Sequence, residues 1–253
     1  MDNTSPADRP RPIVMSSLYV ARHGQASFFS EDYDRLSPKG EQQASLLGEF
    51  WSRQGVSVTE VYTGTLARQI DTASAVAKRC AETGHPWPEP TTLGGLDEYD
   101  AEGILAILGK ELASRDAAAR RLANEYEQAL TDADRYRTFH RLLEAVTRYW
   151  VSGDYESDGF ESWPEFRDRV RQALRRILEG TERGRQVAVF TSAGVVGTLV
   201  QTVLNAPEEK AAELHWRLYN CAITQFTFTQ GRISLDGFNS IAHLGDPELH
   251  TYR

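Results

Sequence analysis

Three times the sequence runs from a short apolar stretch through a tight turn into a helical pattern, and no other feature constrains the fold as strongly. Residues 17–21 end in Arg22-His23-Gly24-Gln25. Ser37 and Pro38 then open a helix as N-cap and first helical residue, with Ala44, Leu47, Phe50 and Trp51 at helical spacing. Residues 60–63 lead into a helix from about residue 66 to 80, and residues 186–190 pass through Thr191-Ser192-Ala193-Gly194 into an apolar helix over 195–204. Short connections of this kind lay strands side by side in one direction. The expected fold is therefore α/β, a three-layer α/β/α sandwich with a mostly parallel central sheet.

The remaining segments decorate that frame. Residues 91–93 read as a short strand, and 104–151 as helical, with Phe139, Leu142, Leu143, Val146, Tyr149 and Trp150 falling on one face. An acidic, turn-rich stretch at 153–159 precedes a helix over 163–179. Alternating positions at 222–229 and 233–238, joined at Gly231, read as a hairpin. Residues 1–15 are polar and proline-rich, which predicts a disordered arm, with Met15 as an alternative start. Residues 16–253 then form one domain carrying a helical insertion, or cap, at about 104–155.

Composition narrows the function. With 28 Lys+Arg against 36 Asp+Glu the formal charge is −8, which argues against nucleic acid as a partner and leaves anionic ligands to local arginines. No apolar run approaches the ~20 residues that span a bilayer. The first residues carry Asp2, Asp8 and three prolines rather than a signal core, so a cytoplasmic location with no membrane contact is expected. Cys80 and Cys221 form no CxxC pattern, and the six histidines show neither HxH nor HExxH spacing; no metal and no organic cofactor is expected.

Ligands of an open parallel sheet bind beyond the carboxyl ends of its strands. Arg22-His23, the turn before Arg68, and Ser192 to Gly194 all fall there. An imidazole beside two guanidinium groups is pushed towards its neutral form and can attack phosphorus through a ring nitrogen. Arginine forks suit the phosphoryl oxygens. The helix start at Ser192 and Ala193 adds backbone N–H groups, so these two residues join Arg22 and Arg68 as candidate phosphate-binding positions.

These residues resemble a known family. Leu18-Tyr19-Val20-Ala21-Arg22-His23-Gly24-Gln25 resembles the RHG signature of the histidine phosphatase superfamily, in its phosphoglycerate-mutase-like branch. Leu36-Ser37-Pro38-Lys39-Gly40 with Gln43-Ala44, the run from Thr63 through Arg68 to Thr72-Ala73, Leu96-Asp97-Glu98, and Glu161-Ser162 with Arg169-Val170 are similar to further family elements. The resemblance covers most of residues 17–98 and 160–243. It implies a phosphoglycerate-mutase-like fold, with His23 as the nucleophile that becomes phosphohistidine, Arg22 and Arg68 as the phosphoryl clamp, and Glu98 as the acid that protonates the leaving group. Asn220 resembles a family asparagine and is read as structural.

The family's second histidine, expected after the late strand, is replaced here by Ser192. By analogy with losing one oxyanion-hole donor, the deficit is ~3 kcal/mol, about a hundredfold in rate. His243, after the last strand, is a candidate to replace that imidazole. The reading that follows is a phosphomonoester hydrolase for a small phosphorylated metabolite, rather than a mutase, which must shield its phosphoenzyme from water. Two alternatives stand beside it. One is a weakened or inactive module that binds phosphate; the other is a serine hydrolase with Ser192, Asp236 and His243 in α/β-hydrolase order. Substrate choice is expected to fall to the cap, with Tyr136, Tyr149, Trp150 and Tyr155 and the arginines Arg135 and Arg137 as its candidate wall.

Overall fold

The computed structural model describes residues 15–27, 34–85, 87–180 and 182–252; the arm expected over residues 1–14 lies outside them. Six strands form one sheet: β1 (Ser16–Arg22), β2 (Glu60–Thr63), β3 (Pro90–Thr92), β4 (Gln186–Thr191), β5 (Ile223–Thr229) and β6 (Arg232–Ser240), in the order β3-β2-β4-β1-β5-β6. The first four in that order run parallel, and the β5–β6 hairpin closes the edge antiparallel to β1. The sheet is thus mostly parallel, as expected.

Burial on both faces explains why its central strands are apolar throughout. Val187 and Val189 of β4 and Leu18 and Val20 of β1 point into one core with Phe166, Val196 and Leu199. Ala188, Phe190 and Ala21 point into the other, with Leu47, Trp51 and Val76. The second face is covered by α1 (Pro38–Arg53) and α2 (Ala67–Glu82), the first by α6 (Trp163–Leu178) and α7 (Ala193–Leu204). Local chemistry sets the helix starts. Ser37 accepts from the Gly40 N–H at the head of α1, and Ser162 and Glu165 form a reciprocal capping box at the head of α6.

The run read as helical over 104–151 is three helices, α3 (Ala101–Arg115), α4 (Ala117–Glu127) and α5 (Asp132–Ser152). The breaks have local causes. Asp116 ends α3 and caps α4 by accepting from the Ala119 N–H at 2.7 Å, and Thr131 caps α5 by accepting from Asp134. On α5, Leu142, Val146 and Trp150 are buried against the sheet-side core, while Phe139 and Tyr149 are only half-buried. The Trp150 indole N–H also donates to the Glu161 carbonyl at 2.9 Å, fixing the foot of the cap. A short helix that sequence periodicity did not reveal, α8 (Glu209–His215), packs behind α7. Among the described residues no helix is long and apolar enough to cross a membrane.

Candidate active site

The carboxyl end of β1 delivers Arg22 and His23 between β4 and β5. The His23 backbone is held from both sides: its N–H donates to the Thr191 carbonyl at 2.8 Å, and its carbonyl accepts from the Cys221 N–H and the Asn220 amide, each at 3.2 Å. Cys221 adopts the left-handed φ of 55° to make that contact, a conformation that surrounding packing must sustain. The His23 Nδ1 lies 2.7 Å from the Gly24 carbonyl. A carbonyl can only accept, so Nδ1 carries a proton, and in the neutral ring Nε2 carries the lone pair.

The motif residues downstream hold this loop in place. The Gly24 N–H donates to the Thr72 hydroxyl at 3.0 Å and the Gln25 N–H to the Gln43 amide oxygen at 2.9 Å. Gly24 and Gly40 approach so closely that a Cβ on Gly24 would lie 2.6 Å from the Gly40 carbonyl oxygen. These are the glycine, glutamine and threonine positions on which the resemblance rested.

Arg22, His23, Arg68 and Glu98 converge on one cavity of about 620 Å³. Arg22 is anchored by donating to the Leu218 carbonyl at 2.5 Å. Arg68, in the first turn of α2, is paired with Asp34 at 2.6 Å, and the other Asp34 oxygen accepts the Ala67 N–H at the same helix start. Glu98 follows a single 3-10 turn at Gly94–Leu96. Burial pushes its carboxyl above the ordinary value, and the Gly194 N–H and the Arg68 and Arg22 charges offset this only in part. Arg169 fixes the loop that carries it: its guanidinium donates to the Asp97 carbonyl at 2.7 Å and grips the Glu161 carboxylate at 2.5 and 2.9 Å. A carboxyl so held is suited to give a proton to a departing alkoxide.

Three of the expected site residues, Ser192, Ala193 and His243, lie off the cavity wall. Ser192 and Ala193 do not reach the cavity wall; they are 0% and 1% exposed, and the Ser192 hydroxyl accepts from the Gln69 amide at 2.8 Å. The group at the start of α7 is instead the Glu98 carboxyl, whose oxygen accepts the Gly194 N–H at 3.0 Å. A Cβ on Gly194 would come within 2.2 Å of that carboxyl, so any side chain there would push Glu98 out of its place. His243 is not on the wall either. It is buried with its ring 5.9 Å from that of Phe50, and burial drives its imidazole down to about 4, leaving it neutral.

The hydrolase triad does not assemble: Asp236 accepts from Thr227 on the exposed hairpin, Ser192 faces Gln69, and His243 faces Phe50. Of the expected cap wall only Arg135 lines the cavity; Tyr126, Phe139 and Leu143 do so in place of the other candidates. Sequence reasoning also missed His215, whose Nδ1 lies 3.3 Å from the Tyr99 hydroxyl on the same wall, because a lone histidine at the end of a short helix carries no pattern. Among the described residues no group of three His, Cys, Asp or Glu gathers as a metal site.

Known structures share this architecture. A phosphoglycerate mutase from Bacillus anthracis str. Sterne superposes with a TM-score of 0.61 at 17% identity, over 91% of this chain and 96% of that one. A mycobacterial glucosyl-3-phosphoglycerate phosphatase in complex with inorganic phosphate gives 0.57 at 22%, over 90% and 99%. A phosphoserine phosphatase from Entamoeba histolytica in complex with 3-phosphoglyceric acid gives 0.58 at 20%, over 91% and 100%. No curated protein matches the sequence significantly. The family model for the histidine phosphatase superfamily, branch 1, matches residues 18–241, which spans both halves of the site and the cap between them. With an ordered set of motifs, a phosphoglycerate-mutase-like fold and a match over most of its length, the chain belongs to the histidine phosphatase superfamily.

Proposed function

We propose that the protein hydrolyses a small phosphomonoester through a phosphohistidine at His23. The observation that carries this reading is the His23 contact: Nδ1 donates to a backbone carbonyl, which makes Nε2 the nucleophilic atom of the neutral ring in a cavity that also holds two arginines and a raised carboxyl. In the first half-reaction Nε2 attacks phosphorus, the ester P–O bond breaks, and Glu98 gives its proton to the leaving oxygen. In the second, water attacks phosphorus, Glu98 takes a proton from it, the P–N bond breaks, and inorganic phosphate leaves. Arg22 and Arg68 hold the non-bridging oxygens as charge moves through them. The reaction requires neither metal nor cofactor, and the buried, unpaired Cys80 and Cys221 are compatible with a reducing cytoplasm.

Ser192 takes the position of the family's second histidine in this proposal, and its hydroxyl is turned to Gln69. That contact favours a second reading, a module that binds phosphate with little or no turnover. The two are separated by incubating the protein with p-nitrophenyl phosphate and a panel of phosphomonoesters, with His23→Ala alongside. Turnover that vanishes in the variant, with an acid-labile phosphoryl group trapped on the wild type, supports the hydrolase. Phosphate binding with no turnover in either protein overturns it in favour of the binding module.

A further inference from the structure

Past the phosphoryl clamp the cavity meets a wall of different chemistry, contributed by the cap. Tyr126 near the end of α4 and Phe139 on α5 present half-buried rings with centroids 5.8 Å apart and planes inclined by 50°. Leu143, one turn beyond Phe139, is buried beside them, and the Arg135 guanidinium lies over the Tyr126 ring at 5.6 Å from its centroid. At the start of α3, Asp100 and Glu102 complete the wall. Apart from the groups assigned to the phosphoryl end, the ionisable lining is thus two carboxylates, the Arg135 guanidinium over its ring, and the His215 imidazole beside Tyr99.

Size points the same way. About 620 Å³ is the share of roughly 20 waters in the liquid, far beyond what a phosphoryl group fills and within the range of pockets that enclose drug-sized ligands. Rings and a leucine reward an apolar body that leaves water, and a flat one can lie edge or face to Tyr126 and Phe139. A second anionic group on the substrate would instead approach Asp100 and Glu102, and among the described residues the wall offers it no lysine and, beyond the clamp, only the Arg135 guanidinium, which lies over the Tyr126 ring.

Resting on the phosphomonoester reading above, we infer that the preferred substrates are phosphate esters of alcohols bearing an aromatic or similarly flat apolar body and no second anionic group. Phosphoglycerate-like acids are discriminated against. The site selects its alcohol by apolar contact with the cap and its phosphate by the clamp, so the two halves of specificity reside on separate parts of the chain.

The test compares 2-phenylethyl phosphate, glycerol 1-phosphate and 3-phosphoglycerate; the first two leave as primary alkoxides, so their intrinsic reactivity does not separate them. Wild type is expected to favour 2-phenylethyl phosphate over glycerol 1-phosphate in kcat/KM, and Phe139→Ala to lower that ratio on the order of tenfold. Phe139→Leu, which retains bulk and guards against misfolding, lowers it less. Glu102→Lys is expected to raise the ratio of 3-phosphoglycerate over glycerol 1-phosphate. Calorimetry with 2-phenylethylphosphonate and methylphosphonate gives a readout independent of turnover. Hydrolysis without preference, with ratios unmoved in the variants, overturns this inference and leaves the phosphatase reading standing. Tighter binding of the phenyl phosphonate with no hydrolysis supports it and overturns the catalytic reading. Equal binding of both phosphonates with no hydrolysis overturns both.

Discussion

The two ends of the cavity are held by opposite kinds of bond. At the phosphoryl end the charged groups are themselves largely sheltered and each has a partner: Arg22 on the Leu218 carbonyl, Arg68 on Asp34, Glu98 on the Gly194 N–H, and the Arg169 to Glu161 grip behind it. The cap surface is laced instead with exposed pairs, Arg137 to Asp134, Arg141 to Glu125 and Arg148 to Glu144, all between side chains at least 40% exposed. Such pairs contribute about 0–1 kcal/mol each, and water and salt screen them. The cap is kept in place above all by what α5 buries, Trp150 foremost, with the sheltered Glu111 carboxylate of α3 accepting from Tyr149, Glu156 and Ser157. Precision is concentrated where phosphorus would sit, and tolerance where the rest of a ligand would lie.

The sharpest way to break this contrast is Glu98→Gln. With an alkyl phosphate, kcat/KM, which reports only the steps up to the phosphoenzyme, is expected to fall by about 10²–10⁴, whereas p-nitrophenyl phosphate, whose phenolate leaves without a proton, loses far less. Equal losses on both esters would mean the carboxyl is structural. The same variant tests the pH linkage. A carboxyl raised by burial contributes stability when protonated, fully present below the unfolded value of 4.5 and lost as pH rises through the folded value. Glu98→Gln should therefore raise the melting temperature at pH 8 relative to wild type and change it little at pH 4.

Next in size, Trp150→Ala should remove about 3–5 kcal/mol of stability, read from urea unfolding, because a fully buried ring and its N–H donor to Glu161 are lost together. A loss below 1 kcal/mol would show that the cap is held by something other than this anchor. Asp34→Ala releases Arg68 and uncaps α2, and should weaken inorganic phosphate binding by about tenfold in calorimetry. Smallest of all, Arg141→Ala on the cap surface should shift stability by no more than about 0.5 kcal/mol, and that shift should vanish in high salt.

The phosphoryl end was legible in the sequence because its requirements are local. Gly24 and Gly40 must be glycine to approach each other, and Gln43 and Thr72 must present an oxygen to a particular N–H. Such demands leave fixed spacings. The cap wall is set by how α4 and α5 lean on the sheet, which no spacing records. Phe139 could be placed on the apolar face of α5 but not on the cavity, and Tyr126 and His215 gave no signal at all. Ser192 misled for a related reason. A polar residue at a strand-to-helix turn looks accessible, yet Gln69 and Glu98 reach it and its helix start first. His243 likewise ends a strand in the sequence but packs against Phe50 in the fold.

The Arg169 to Glu161 grip has an architectural consequence. Glu98 precedes the cap and Glu161 follows it, so the pair joins the two points at which the inserted helices leave and re-enter the frame. Tied at its feet, the inserted segment leaves and re-enters the frame at points held independently of its outer helices. On the proposed reading, such footing would let the outer wall of the cavity vary in sequence while the clamp and the acid keep their positions.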